Sequence, residues 1–181
     1  MTTYVVASSK SWNRRVVENS ISRIPGRWFF LENREQITAE RFAELAPRYV
    51  FFLHWSWMVP SPIVDEFECV CFHMTDLPFG RGGTPLQNLI VRGYRETMLT
   101  AFKMTDELDA GPIYLKHPLG LDGSAQEIYL RASEVAADMI ARIVAEEPEP
   151  VPQIGEATSL SRRTPADSEI TAYIQDLERL H

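Results

Sequence analysis

The chain has 181 residues, which suffices for one domain with a sizeable apolar core and no need for disulfides or structural metals. Hydrophobic residues make up 45% and charged residues 24% of the sequence, a composition typical of globular proteins and not of disordered chains. The net charge of −7 disfavours nucleic acids and anionic membranes as partners, because both attract basic proteins.

The cellular location follows from two further features. No apolar run approaches the ~20 residues of a membrane span, and the first residues lack the charged-then-apolar pattern of a signal peptide. Cys69 and Cys71 lie two apart on a predicted strand, at the outer limit for a disulfide, so neither indicates an oxidising compartment. We therefore expect a cytoplasmic protein without a membrane partner.

Strand and helix patterns alternate through the first half of the chain. Short apolar runs predict strands over 3–7, 28–31, 49–54 and 69–73, and the segments between them predict helices over 12–24, 38–45 and 60–67. The run over 49–54 is apolar enough to be buried on both faces. This order favours an α/β domain with a mostly parallel central sheet flanked by helices.

The second half has a different pattern. A turn-rich stretch over 75–85 and an amphipathic segment over 86–92 precede strands over 97–104 and 112–117. Ser124 and Glu127 form a capping box that opens a helix to residue 146, and a proline-rich run over 146–152 ends it. We predict a domain over 1–146 and an extended carboxy-terminal segment over 147–181 with a short helix beginning at Thr164.

Polar residues follow the predicted strands, where an open parallel sheet binds its ligands. His54 follows the third strand, His73 ends the fourth and Asp109 lies in a later loop. Each alone is more often structural, because motif matches are only hypotheses and an aspartate near a glycine is commonly a turn residue. Cys69, Cys71 and His73 share one strand face but are ~6.6 Å apart in succession, too far for one tetrahedral ion, so we predict no metal site.

In combination these residues are far more specific. The pattern His73-x-x-x-Leu77-Pro78-x-x-Arg81-Gly82-x-x-Pro85, with Asp109 in Leu108-Asp109-x-Gly111 36 residues after the histidine, resembles the folate-dependent formyltransferase family. Family members act on glycinamide ribonucleotide, methionyl-tRNA or amino sugars. The resemblance covers roughly residues 45–145. It implies a Rossmann-like formyltransferase fold, here with a carboxy-terminal extension.

The short chain, with Trp55-Ser56-Trp57 after the third strand, is most similar to stand-alone amino-sugar N-formyltransferases of bacterial surface-sugar (pseudaminic-type nonulosonic) pathways. Members that act on tRNA carry a further carboxy-terminal domain, for which 181 residues leave no room. The resemblance therefore implies a small-molecule amine acceptor and no nucleic-acid partner. Its donor would be N10-formyltetrahydrofolate, used without a metal.

The resemblance also implies roles for individual residues. His73 would be the general base that manages the amine proton, and Asp109 would orient it and stabilise the imidazolium. The family usually has an asparagine two residues before the histidine, where this chain has Cys71. Three interpretations stay open for Cys71: a tolerated variant, which we favour, a nucleophile that carries the formyl group, or a mark of lost transfer activity.

Binding residues follow from the same family pattern. The folate donor would contact the loop after the third strand and the aspartate loop, at Trp57, Met58, Val59, Arg81, Met104, Asp106, Glu107 and Leu108. The acceptor would contact Ser9, Lys10, Trp12, His54 and Arg81.

The sequence leaves open two alternatives to formyl transfer and the role of the carboxy-terminal segment. The same site could hydrolyse formyltetrahydrofolate with water in place of the amine, or the chain could be a folate-binding pseudoenzyme. The segment after residue 146 either wraps its own subunit or pairs with a second copy, so a homodimer is one of two expectations.

Overall fold

The computed structural model describes residues 1–21 and 23–168. Its strands and helices alternate through the first half, and after residue 90 two long strands are followed by one long helix. In chain order they are β1 (Thr3–Ala7), α1 (Trp12–Ile21), β2 (Arg27–Leu31), α2 (Ala39–Leu45), β3 (Tyr49–Phe52), α3 (Ser61–Glu66), β4 (Cys69–His73), β5 (Arg81–Gly82), α4 (Pro85–Val91), β6 (Glu96–Lys103), β7 (Ile113–Gly120), α5 (Ala125–Glu146) and β8 (Ser159–Leu160), with 3₁₀ turns at Arg34–Gln36 and Ala166–Ser168.

Six strands form the central sheet in the order β2-β1-β3-β4-β6-β7. The first four are parallel, and β6 and β7 continue the sheet as antiparallel strands. The predicted α/β fold with a mostly parallel sheet is therefore confirmed. Since β1, β3 and β4 run in the same direction, their carboxyl ends lie at one edge of the sheet, where the candidate site residues follow.

Apolar side chains cover both faces of the sheet. On one face Val6, Phe51 and Val70 pack with Ile128 and Ile140 of α5. On the other, a second cluster includes Val5, Phe52, Phe42 of α2 and Ile63 of α3. Packing against both faces of these central strands explains why their sequences are largely apolar.

Helix α5 begins as the capping box predicts. The Ser124 hydroxyl accepts from the Glu127 N–H at 3.3 Å, and the Glu127 carboxylate accepts from the Ser124 N–H at 2.7 Å. Three boundaries differ from prediction by more than one residue: α1 ends at Ile21, β3 ends at Phe52 and β7 continues to Gly120. The second difference has a clear cause, because His54 has a φ of 45° and so leaves the extended conformation.

The chain returns to the sheet after α5, in a segment that we call the strap and define as residues 151–163. Val151 pairs with Ile113, and β8 lies parallel to β5, two short pairings that the sequence did not predict. Thr164 precedes the 3₁₀ turn at Ala166–Ser168, where its N–H donates to Asp167 Oδ2 at 2.6 Å. The remainder of the predicted terminal helix lies outside the described residues.

None of the helices within residues 1–21 and 23–168 combines the length and the hydropathy that a bilayer crossing requires.

Candidate active site

His73 stands at the carboxyl end of β4 and is 7% exposed. Its Nε2 lies 2.8 Å from the carbonyl oxygen of Gly80. A carbonyl can only accept, so Nε2 carries the proton and the neutral imidazole has its lone pair on Nδ1. The backbone of the glycine-rich turn thus fixes which nitrogen of His73 is free to take up a proton.

Asp109 faces this free nitrogen. Its Oδ2 lies 3.7 Å from His73 Nδ1 and accepts a hydrogen bond from the Gly82 N–H at 2.8 Å. The pair predicted from motif spacing is therefore adjacent in the fold. At this separation the carboxylate can stabilise an imidazolium without already holding its proton.

Two backbone features shape the aspartate loop. Asp109 itself has a φ of 51°, a left-handed conformation that is unfavourable for a non-glycine residue. Gly111 packs so closely on β6 that a Cβ there would lie 1.7 Å from the carbonyl oxygen of Lys103. The glycine of the Leu-Asp-x-Gly pattern is thus required by contact with the neighbouring strand.

A cleft of about 160 Å³ opens beside the pair, between the loop after β3 and the loop after β6. Asp109 and Cys71 form part of its wall. Seven residues predicted to bind the folate line it: Trp57, Met58, Val59, Met104, Asp106, Glu107 and Leu108. The structure thus brings both predicted loops to one cavity.

The cleft suits a flat heterocycle in its chemistry. Its inner wall carries aromatic and apolar side chains from β3, β6 and the loop after β3, namely Phe52, Trp55 and Phe102. Trp57, 40% exposed, and Met58, 76% exposed, stand at its rim. Apolar walls of this kind suit the faces of a pteridine ring.

Cys71 lies on β4 in the wall of the cleft, and both cysteines are free thiols. Burial, with a smaller contribution from the Asp109 carboxylate, raises the pKa of the Cys71 thiol to about 12. A thiol with such a pKa remains protonated at neutral pH and is a poor nucleophile. These surroundings favour the interpretation of Cys71 as a tolerated apolar variant.

A polar network lies on the opposite face of the sheet edge. The Asn13 amide nitrogen, buried in α1, donates to Ser8 Oγ at 2.7 Å and to His54 Nδ1 at 3.0 Å. The Ser133 hydroxyl of α5 donates to the side-chain oxygen Oδ1 of Asn13. Burial, and to a lesser extent the Lys10 cation, lowers the pKa of His54 to about 4. His54 is therefore held as a neutral imidazole with its proton on Nε2.

The predicted acceptor residues gather around this network. Ser9 Oγ donates to the His54 carbonyl at 2.7 Å and lies 3.0 Å from Ser56 Oγ. Lys10 Nζ lies 5.9 Å from the centroid of the Trp12 ring, which is itself 39% exposed. Ser9, Lys10, Trp12 and His54 thus form one group on the α1 side, separate from the residues that line the cleft.

Arg81 has protein partners instead of a free guanidinium. Its Nε and Nη2 donate to Gln153 Oε1 at 3.2 and 2.9 Å, and its Nη1 lies 3.1 Å from Glu107 Oε1. Its side chain is 19% exposed, whereas that of Glu107 is 76% exposed. These contacts favour a role for Arg81 in stabilising the surrounding loops over the predicted contacts with folate and acceptor.

Sequence reasoning missed several residues of the site. Gly80 supplies a carbonyl, Gly82 supplies an N–H, and Gln153 reaches the aspartate loop from the strap. The two glycines lie inside the recognised motif, which could have indicated backbone contacts. Gln153 lies in a segment without periodicity or motif and gives no such indication.

The described ranges 1–21 and 23–168 contain no group of three histidine, cysteine or acidic side chains arranged to hold a metal ion.

Comparisons with known proteins identify the family of this chain. The model of the formyl transferase family matches residues 6–144. A methionyl-tRNA formyltransferase of Gluconobacter oxydans is 28% identical over 138 residues, which cover 74% of this chain but 45% of that protein. The chain thus spans less than half the length of this curated relative.

Two solved structures resemble the fold over most of the chain. A structure titled methionyl-tRNA formyltransferase from Clostridium thermocellum has a TM-score of 0.93 and 41% identity, covering 99% of this chain and 80% of that one. The formyltransferase PseJ from Anoxybacillus kamchatkensis, solved with a UDP-linked formamido sugar and tetrahydrofolate, has a TM-score of 0.65 and 11% identity, covering 87% and 85%. The second likeness concerns the fold alone. The extent of the family match, together with the 41% identical structure, establishes that this chain belongs to the formyl transferase family.

Proposed function

We propose that this protein is an N-formyltransferase that moves the formyl group of N10-formyltetrahydrofolate to the amine of a small metabolite, an amino sugar or a nucleotide-linked amino sugar. The observation that carries the proposal is the pairing of His73 Nδ1 with Asp109 at 3.7 Å, beside a cleft of apolar and aromatic walls. We place the reaction in the cytoplasm, where free thiols such as Cys69 and Cys71 persist.

The bound folate would supply the formyl carbon as electrophile: the amine nitrogen bonds to it, the bond from that carbon to folate N10 breaks, and tetrahydrofolate leaves. The chain's own residues manage the proton. His73 Nδ1 has the lone pair that accepts it from the amine, because Nε2–H is committed to Gly80. Asp109 stabilises the resulting imidazolium, which can then protonate the leaving nitrogen.

The small-molecule acceptor is supported by the group on the α1 side. Ser9 and Ser56 present hydroxyls, His54 presents a neutral donor, and the exposed Trp12 ring offers a stacking surface for a sugar. The net charge of −7 also disfavours a polyanionic acceptor.

The names of the relatives favour a second candidate, formylation of methionyl-tRNA. Two other outcomes use the same site: hydrolysis of the donor, and folate binding without turnover. The four possibilities differ in the fate of the formyl group: it is transferred to a small amine, transferred to methionyl-tRNA, released as formate, or left on the folate.

The test incubates the protein with N10-formyltetrahydrofolate and one acceptor at a time: free amino sugars, nucleotide-linked amino sugars, or methionyl-tRNA. Mass spectrometry measures formyl gain on each acceptor, and a formate assay measures release to water. We expect a formylated amino sugar, with the rate lowered about 10²- to 10⁴-fold in His73→Ala. Gln126→Ala, on the exposed first turn of α5, serves as the control and should retain the wild-type rate.

Formyl gain on methionyl-tRNA alone would overturn the small-metabolite acceptor. Formate release without any formylated acceptor would establish a hydrolase. Folate binding with neither product would leave a pseudoenzyme.

A further inference from the structure

We propose that Gln153 of the strap is a positioning residue that holds Asp109 in its place beside His73. The proposal deepens the formyltransferase function given above and rests on it for its kinetic consequences. The family model ends at residue 144, so the strap lies beyond the region that the family match covers.

The orientation of Gln153 is the first observation. Its neighbours on the strap include Val151, 59% exposed, and Ile154, 89% exposed, yet the polar Gln153 is the partly buried residue between them. Leu160, further along the strap, is buried, but around Gln153 the apolar residues turn outward and the glutamine turns inward, so hydrophobic burial does not explain the direction of this part. Its hydrogen bonds must therefore account for the inward direction.

The contacts of Gln153 use the whole amide. Nε2 donates to the backbone carbonyls of Asp109 at 2.8 Å and Gly111 at 2.9 Å. Oε1 accepts from Nε and Nη2 of Arg81 at 3.2 and 2.9 Å. One side chain thus ties the aspartate loop to β5, the strand that contributes the Gly82 N–H to the Asp109 carboxylate.

Asp109 requires such support because of its backbone. Its φ of 51° is in the left-handed region, which residues with a Cβ seldom adopt without support. One of the two carbonyls that Gln153 binds belongs to Asp109 itself, and the other belongs to Gly111, two residues later. Without these two hydrogen bonds the loop can relax, and the Asp109 carboxylate would move relative to His73 Nδ1.

The strap also supports the histidine. Thr158 Oγ1 accepts from the Gly80 N–H at 2.8 Å, and the carbonyl of that same glycine accepts from His73 Nε2. The Thr158 carbonyl accepts from the Arg81 N–H at 2.9 Å. Both members of the catalytic pair are therefore anchored to the strap, and Gln153 is the anchor of Asp109.

Two variants separate the two sides of the Gln153 amide. Gln153→Glu keeps an oxygen for Arg81 but replaces the donor to the aspartate loop with an acceptor, and Gln153→Ala removes both sides. We expect kcat for formyl transfer to fall about 10- to 100-fold in each, since a displacement near 1 Å at a reacting pair has effects of that size. KM for the folate should change less than about threefold, because the cleft does not contain Gln153. Gln126→Ala is again the matched control.

A readout that does not depend on turnover is the amide proton of Gly82, followed by NMR in uniformly ¹⁵N-labelled full-length protein. Its hydrogen bond to Asp109 Oδ2 should move this signal downfield and slow its exchange with solvent. Asp109→Ala gives the position for complete loss. We expect Gln153→Glu and Gln153→Ala to move the Gly82 signal toward that of Asp109→Ala, with the other amide signals of the sheet unchanged.

A wild-type Gly82 signal and wild-type kcat in Gln153→Glu would overturn the proposal. If the wild-type protein transfers no formyl group, the proposed function fails, but the Gly82 signal still decides whether Gln153 positions Asp109. If Gln153→Ala unfolds while Gln153→Glu stays folded, the amide spectrum of Gln153→Glu decides whether Gln153 positions Asp109.

Discussion

The two halves of the candidate site's surroundings are stabilised by different forces. The β1–β4 half is apolar: Val5, Phe51 and Val70 are fully buried between helices on both faces. The half around His73 and Asp109 consists of loops joined by hydrogen bonds from Gly80, Gly82 and Gln153. Burial contributes most of the free energy of folding, whereas directed hydrogen bonds fix the angles and distances that a proton transfer needs. Stability and rate should therefore respond to different residues.

The largest effect should come from the apolar half. Phe42 of α2 is fully buried and packs edge-to-face on Phe67, with ring centroids 5.5 Å apart. Phe42→Ala should lower the free energy of unfolding by about 3–5 kcal/mol through lost burial and a residual cavity. Urea denaturation measures this loss, and kcat at a temperature where the variant is folded should stay within about twofold of wild type. A fall in kcat as large as that in Gln153→Glu would show that the two halves are not separable.

A smaller effect is expected at His54, in the loop after β3. Its pKa is about 4 in the folded protein and ordinarily near 6.5, so between these values the unfolded chain binds a proton that the folded chain does not. This contribution to stability is therefore present above pH 6.5 and is lost as the pH falls toward 4. From pH 7 to pH 5 the loss amounts to about 2 kcal/mol.

His54→Gln should abolish that part of the pH dependence, measured by urea denaturation at pH 7 and pH 5. The exposed His117→Gln is the matched control and should keep the wild-type difference. An unchanged difference in His54→Gln would mean that burial does not lower the pKa of His54.

The smallest effect should be at Cys71. If this residue is a tolerated apolar variant with a protonated thiol, Cys71→Ala should change kcat less than about threefold, because a thiol is a weak donor that is lost at little cost. Formyl transfer assays with both proteins measure it, with His73→Ala as the inactive reference. Complete loss of transfer in Cys71→Ala would instead assign a covalent role to the sulfur.

The contrast between the halves also explains what the sequence could predict. Strands β1, β3 and β4 follow from apolar runs, because burial on both faces leaves a pattern in composition. His73 and Asp109 follow from motif spacing, and the structure places them 3.7 Å apart.

Long-range polar contacts leave no comparable pattern. The β5 and β8 strands have two residues each, too few for any periodicity, and Gln153 binds a loop 42 and 44 residues away in the chain. The left-handed turn at His54, which ends β3 early, depends on Ser9 and Asn13 from another loop and helix. Such features are set by tertiary contacts and not by local preference.

The strap has a consequence for building chimeras from this protein. A swap that joins a foreign tail directly after α5 would retain every residue that the family model recognises, yet it would discard Gln153 and Thr158. The grafted module would keep the cleft and His73. It would lose the hydrogen bonds from Gln153 to the aspartate loop and from Gly80 to Thr158. A junction after Arg163, whose N–H donates to Thr84 Oγ1 at 2.9 Å, would keep the candidate site together with the whole strap.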